Sequence, residues 1–209
     1  AHELFHFYQD INGLSGSSVP GWRVEGTARW IEGPIMKTHI ATEQYLVETS
    51  LTDQLYNTWQ FWHYLSVYQP DALRKTLNTI RELKFNNLPT VVKAQTTVEL
   101  KSIFADFIKD LLQAKQIGNT DVGMFTLRGK FDDNLMSTEQ RKLATTQLST
   151  NPKTVNLTIS ALSAKAIRIT SQNTTPEAVG LSWSASNPDV RVLAKMVTSS
   201  GSTVSDLGA

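Results

Sequence analysis

The sequence predicts an α+β fold in which a mostly helical part precedes a small antiparallel β module. In the first part, apolar residues recur every three or four positions, which is typical of amphipathic helices. From Val155 onward, polar and apolar residues alternate in short runs between Asn, Pro and Ser clusters, which is typical of half-buried strands. The change near Asn151-Pro152 predicts a helical domain at 1–150 and a β-sandwich-like module at 151–209.

Six helices are predicted in the first part. A Gly- and Ser-rich segment at 13–21 separates the first two, and Pro34 is expected to end the second after Gly33 because proline lacks the N–H that continues a helix. The apolar stripe of the fifth helix predicts a packing face rather than a binding site, and a capping-box sequence at 137–140 predicts the last helix. The predicted helices span residues 1–13, 21–33, 51–68, 70–83, 97–115 and 138–148.

Four or five strands are predicted in the second part, fewer than the seven or so of a closed sandwich. Two roles are open for this module: packing that stabilises the helical part, or binding of a substrate. The alternating apolar residues that predict the strands are Val155, Leu157 and Ile159; Ala164, Ala166, Ile167 and Ile169; Val179, Leu181 and Trp183; and Val190, Val192 and Ala194.

The residues His2-Glu3-Leu4-Phe5-His6 form an H-E-x-x-H motif. On a helix, His2 and His6 lie one turn apart on the same face, so both imidazoles can reach one metal ion. Glu3 lies next to His2, where its carboxylate can act as general base on a water that the metal activates. Glu25, separated from His6 by eighteen residues, supplies a third and anionic ligand. These four residues predict a catalytic site for one Zn²⁺ ion.

Apolar residues around the motif, Leu4, Phe5 and Phe7, predict that this helix is buried. Histidines on a buried helix need hydrogen-bond partners, and a metal ion removes that need. The alternative is two unrelated surface or core histidines.

The motif, the eighteen-residue gap and the W-x-x-E-G-x-A-R-W segment at 22–30 together resemble the gluzincin zinc metallopeptidases, in particular the M1 aminopeptidase-like branch. A metzincin would have glycine and histidine where this chain has Gln9 and Asn12, and a thermolysin-like enzyme would have aspartate in place of Arg29. The resemblance covers roughly residues 1–83. It implies a zincin fold, hydrolysis of peptide bonds in a peptide or protein substrate, further sequence upstream of Ala1, and extracellular or periplasmic residence.

The resemblance also implies an oxyanion donor at Tyr56. Enzymes of this branch carry a tyrosine that begins a helix of the form Y-x-x-x-x-F-x-x-Y-L, and residues 56–65 fit that form. Tyr64 and His63 are alternatives for the same role. A tyrosine here can also be a core residue with a solvated hydroxyl.

Composition excludes several classes of partner. A net charge of +1 over 209 residues gives no argument for nucleic acid or a membrane surface. No apolar run approaches the ~20 residues that span a bilayer, and the absence of cysteine excludes disulfides. Nothing indicates an oligomeric state. Two functions therefore stand: a zinc-dependent peptidase, or a non-catalytic protein that keeps a zincin scaffold and binds protein or glycan through its β module.

Overall fold

The computed structural model of this chain places helices before strands, and the mostly helical α+β class predicted from the sequence is confirmed. Within the described residues, α1 spans His2–Ile11, α2 Gly21–Met36, α3 Trp59–Tyr68 and α4 Leu100–Leu112. No helix in these parts of the chain is long and apolar enough to cross a membrane. The structure describes residues 1–13, 20–36, 43–71, 73, 90, 93, 98–113, 115–118, 124–127, 144–147, 154–165, 167–170, 182, 184–190, 192–198 and 201–208.

Helix α2 continues past Pro34 to Met36, so the predicted end at Gly33 is wrong. Proline has no N–H to donate to the carbonyl four residues earlier, and it costs the helix one hydrogen bond. Because Pro34 lies in the last turn, α2 still adds two more residues.

The long helix predicted at 51–68 is interrupted. Two short 3₁₀ turns, Leu51–Asp53 and Tyr56–Thr58, precede α3, and Gln54 between them has extended backbone angles. The Gln54 side chain donates to the carbonyls of Leu46 and Thr49 and accepts from the N–H of Leu46. These contacts hold the chain before α3 in a turn. The spacing of apolar residues along the sequence cannot predict them.

Residues 144–147 form a strand, which corrects the last predicted helix at 138–148. This strand, β3 (Ala144–Gln147), pairs in parallel with β4 (Ile167–Thr170). Its β-branched threonines favour extended backbone, and pairing with a partner strand stabilises that backbone over 144–147. Residues 138–143 lie outside the described part, as do most of the predicted helix at 70–83 and the predicted strand at 179–183.

Two antiparallel pairs complete the strands of the described chain. Gln116–Ile117 (β1) pairs with Phe125–Thr126 (β2), and Val192–Thr198 (β5) pairs with Gly201–Gly208 (β6). The strand predicted around Val155, Leu157 and Ile159 is absent from residues 154–160, where all three side chains are exposed.

Residues after 150 hydrogen-bond to the helical part through two backbone contacts. The N–H of Ala164 donates to the carbonyl of Val47 at 2.7 Å, and the N–H of Leu51 donates to the carbonyl of Leu162 at 2.9 Å. The division into 1–150 and 151–209 stays a prediction.

Aromatic side chains of α3 and α4 form the core. Trp59, Phe61 and Trp62 of α3 are fully buried, and Phe61 meets Phe107 of α4 edge to face, with ring centroids 5.4 Å apart. The predicted packing face of α4 is confirmed. Its buried residues are Leu100, Ile103, Phe104, Phe107, Ile108 and Leu111.

Helix α2 packs on α3 through its tryptophan and glycine. Trp22 stacks on Trp62 with ring centroids 5.3 Å apart, and the carbonyl of Trp22 accepts hydrogen bonds from Oγ1 of Thr58 and Nε1 of Trp62. Gly26 lies where a Cβ would collide with Thr58 and approach Nε1 of Trp62 to 2.8 Å. The glycine after Glu25 therefore allows α2 to lie close against α3.

Helix α1 packs on α2 with its polar side, which corrects the prediction that its apolar residues are buried. Gln9 is the residue of α1 that is buried, while Leu4 and Phe7 are 74% and 63% exposed. The polar side that faces α2 carries the histidines of the motif.

Candidate metal centre

Three predicted ligands meet between α1 and α2. His2 and His6 are one turn apart on α1, and their Nε2 atoms are 3.1 Å apart. Oε2 of Glu25, from the second turn of α2, lies 3.4 Å from each of these nitrogens. The side chains of these residues are 19–28% exposed, so the cluster is partly accessible to solvent.

The triangle formed by these atoms fits one metal ion. Tetrahedral zinc with bonds of about 2.0–2.1 Å places its ligand atoms roughly 3.3 Å apart. The observed separations of 3.1, 3.4 and 3.4 Å are close to that value. An ion held by these three atoms would keep a fourth coordination position free.

Hydrogen bonds of Gln9 determine which nitrogen of His6 carries the proton. The Gln9 side-chain amide lies 3.0 Å from the carbonyl oxygen of Val24, which can only accept, so its NH₂ group faces that carbonyl. Its Oε1 then faces Nδ1 of His6 at 2.7 Å, and Nδ1 must be the donor. Neutral His6 therefore directs the lone pair of Nε2 at His2 and Glu25.

His2 has the same arrangement through a carboxylate. Nδ1 of His2 lies 3.1 Å from Oε1 of Glu32, although the carboxylate is off the line of an ideal N–H hydrogen bond. In the tautomer with its proton on Nδ1, His2 would face this carboxylate with the N–H and present the lone pair of Nε2 to His6 and Glu25.

The contacts of Glu25 complete the case for a cation. Its Oε2 is buried and has no hydrogen-bond donor among the described residues, and a buried carboxylate oxygen without a partner is costly. Two imidazole nitrogens and one carboxylate oxygen thus converge on one point. A bound metal cation satisfies all three, and the residues present fit a zinc ion of this ligand type.

Glu32 is paired with Arg29. Nη1 of Arg29 donates to Oε2 of Glu32 at 2.8 Å, and Nη2 donates to Oε1 of Glu43 at 3.0 Å. Burial lowers the pKa of Arg29, but the hydrogen bonds and negative charges of Glu32 and Glu43 outweigh it and raise that pKa. The charge of the arginine is therefore retained next to the metal ligands.

Tyr56 lies at the edge of the cluster. Its ring is 5.9 Å from the His2 ring between centroids, and it is 41% exposed. The negative charge of Glu25, slight burial and a hydrogen bond to that carboxylate raise the pKa of Tyr56, and Glu3 acts in the same direction. The tyrosine hydroxyl thus stays protonated and able to donate beside the third ligand.

Glu3 is exposed in the first turn of α1. The negative charge of Glu3 contributes to the raised pKa of Tyr56. The structure thus brings His2, Glu3, His6, Glu25 and Tyr56 into one region.

The two alternatives to Tyr56 lie elsewhere, in the core. His63 is fully buried beside Phe125, with ring centroids 6.2 Å apart, and Tyr64 packs edge to face on Phe107. Burial lowers the pKa of His63 to about 4, although a hydrogen bond to the backbone of Ile117 opposes this.

Gln9 and Glu32 were missed as candidate site residues in the sequence. Each lies on the same helix face as a predicted ligand. Gln9 is three residues after His6, and Glu32 is seven residues, about two turns, after Glu25. Helical spacing alone could have marked them as neighbours of the site.

Comparisons with protein-family models, curated proteins and solved structures find no match for this chain. The function of this chain is therefore inferred from the geometry of the cluster.

Proposed function

We propose that this protein is a zinc-dependent peptidase that hydrolyses peptide bonds in peptide or protein substrates. The observation that supports this most is the triangle of Nε2 of His2, Nε2 of His6 and Oε2 of Glu25, with sides of 3.1, 3.4 and 3.4 Å. Two imidazoles and one carboxylate, with a fourth position open, are the ligand set of catalytic rather than structural zinc.

The ligand types favour zinc over other metals. Calcium and magnesium prefer six or more oxygen ligands, whereas imidazole nitrogens suit zinc and neighbouring transition metals. A zinc ion in this position would polarise a scissile carbonyl and bring the pKa of a coordinated water to about 7.

Glu3 is the proposed general base. It is adjacent to His2 in sequence and exposed in the first turn of α1. Its carboxylate accepts a proton from the attacking water and passes it to the leaving amine.

Tyr56 is the proposed oxyanion donor. Its hydroxyl lies beside Glu25 and stays protonated because the neighbouring negative charge raises its pKa. A donor in this place stabilises the oxygen that becomes negative when the carbonyl is attacked.

The direct test measures zinc and hydrolysis on the same purified protein. We expect one zinc ion per chain without added metal, and cleavage of a mixed peptide library that stops with a chelator and returns with zinc. His2→Ala and Glu25→Ala should lose the metal, because each removes one of three ligands. A folded chain that neither contains nor takes up zinc would overturn the proposal. Stoichiometric zinc without cleavage of any peptide would favour the non-catalytic scaffold protein instead.

A further inference from the structure

Gln9 connects the two helices that carry the metal ligands. It is 3% exposed, and its NH₂ group donates to the carbonyl of Val24 at 3.0 Å and to Oγ1 of Thr27 at 2.9 Å on α2. Its carbonyl oxygen accepts from Nδ1 of His6 on α1 at 2.7 Å. One buried amide group thus touches a ligand on one helix and the residue before Glu25 on the other.

We propose that Gln9 is a positioning residue of the metal centre, which fixes the tautomer of His6 and the spacing between α1 and α2 with a single planar group. This inference builds on the metal site of the proposed function. It assigns to Gln9 a role that is separate from catalysis, since the side chain points between the helices.

The chemistry of the amide explains why this position needs glutamine. Nδ1 of His6 needs an acceptor, while the carbonyl of Val24 needs a donor, and a primary amide provides both. A carboxylate would satisfy His6 but would face the Val24 carbonyl with a second acceptor. An apolar side chain would satisfy neither partner.

The planarity of the amide couples the two contacts. If α2 shifted along α1, the hydrogen bonds to Val24 and Thr27 would pull the amide away from His6. Because Glu25 follows Val24 directly, the same bonds fix the turn that presents the third ligand. Partners of this kind typically account for about 10–100-fold in metal affinity.

The test compares Gln9→Met with Gln54→Met as a matched control. Gln54 is also 3% exposed and also hydrogen-bonded to backbone groups, at Leu46 and Thr49, but it touches no metal ligand. Both variants lose buried hydrogen bonds and should lose stability. At matched folded fraction, zinc titrated against a competing chelator should bind about 10–100-fold more weakly to Gln9→Met. It should bind Gln54→Met as it binds the wild type.

Nitrogen NMR of the zinc-free protein shows which ring nitrogen of His6 carries the proton. We expect wild-type His6 to carry its proton on Nδ1, and Gln9→Met to lose this preference. Gln9→Glu should keep the Nδ1 proton because it keeps the acceptor, while its zinc affinity falls because it loses the donors to α2. This variant separates the two parts of the proposal.

The outcomes for Gln9 and for the peptidase are distinguishable. If the wild type binds zinc and Gln9→Met binds it equally tightly, the proposed role of Gln9 is overturned. The proposed function then remains in place. A wild-type His6 with its proton on Nε2 would also overturn it, even if Gln9→Met failed to fold. A wild type without zinc affinity would overturn the proposed function, and the NMR result would still decide whether Gln9 sets the tautomer.

Discussion

The carboxylate oxygen Oε1 of Glu32 lies 3.1 Å from Nδ1 of His2. Glu32 is 8% exposed, and a carboxylate this buried remains an anion only when it is paired. Arg29 provides the pairing on the other oxygen, at 2.8 Å. The contacts therefore run from Glu43 through Arg29 and Glu32 to the predicted ligand His2.

Replacing Glu32 with glutamine should weaken zinc binding. The amide keeps the shape but loses the negative charge that favours a protonated Nδ1 on His2, and we expect zinc affinity to fall by about 10–100-fold. Chelator competition measures this. Glu48→Gln is the control, since Glu48 pairs with Lys165 at the surface, away from the cluster. Equal affinities in the two variants would show that Glu32 does not support His2.

Replacing Glu3 with glutamine should stop hydrolysis and leave the metal in place. Glutamine cannot accept a proton from water at neutral pH, and general-base catalysis typically contributes about 10²–10⁴-fold to the rate. Zinc content is expected to equal that of the wild type because Glu3 is outside the ligand triangle. Retained turnover in Glu3→Gln would remove Glu3 from the mechanism, and loss of zinc would place it among the ligands.

The meeting of His2 and His6 was predictable from sequence because their spacing is a local property. Residues four apart on a helix share a face whatever surrounds them, so His2 and His6 needed no tertiary information. The contacts of Gln9 and Glu32 depend on how α1 and α2 pack, and H-E-x-x-H describes only one of these helices. The motif therefore gave two of the three predicted ligands, His2 and His6, and not the groups that orient them.

The fold shows the same division between local and tertiary causes. The stripe on α4 predicted a packing face correctly, since its period is set within the helix. The break before α3 depends on Gln54 contacts with residues 46–49, and the strand at 144–147 depends on its partner at 167–170. Local propensity is overruled where such distant partners bind the backbone.

Replacing Tyr56 with phenylalanine should lower kcat while zinc stays bound. The variant keeps the ring beside His2 and removes the hydroxyl, and loss of one oxyanion donor typically costs about 10²–10³-fold in kcat. Tyr8→Phe is the matched control, because Tyr8 is also 41% exposed. Steady-state kinetics with zinc content checks both variants. An equal kcat in wild type and Tyr56→Phe would assign the oxyanion to another donor.

Replacing Gly26 with alanine should destabilise the fold by about 1–3 kcal/mol through overpacking. The added Cβ meets Thr58 and Trp62, whose polar atoms are held by the carbonyl of Trp22 and cannot easily move. Gly21→Ala on the same helix is the control. Its Cβ meets only the end of the exposed Leu55 side chain, which can rotate away. Urea unfolding compares the two, and equal stabilities would show that α2 and α3 have room to separate.

Burial of His63 should make stability depend on pH. The pKa of His63 in the folded chain is about 4, below its ordinary value of 6.5. Between these values the unfolded chain binds a proton that the folded chain does not, so the free energy of unfolding falls as pH falls through this range and is fully retained above it. From about pH 7.5 to about pH 5, this one group should remove about 2 kcal/mol.

His63→Gln tests the assignment, because glutamine can keep a hydrogen bond to the backbone of Ile117 and does not titrate. Urea unfolding of wild type and variant, both freed of metal with a chelator, should show the smaller loss of stability toward pH 5 in the variant. The remaining histidines and carboxylates titrate in both proteins, so the difference between the two slopes belongs to His63. Parallel pH profiles would mean that protonated His63 is accommodated in the core without cost.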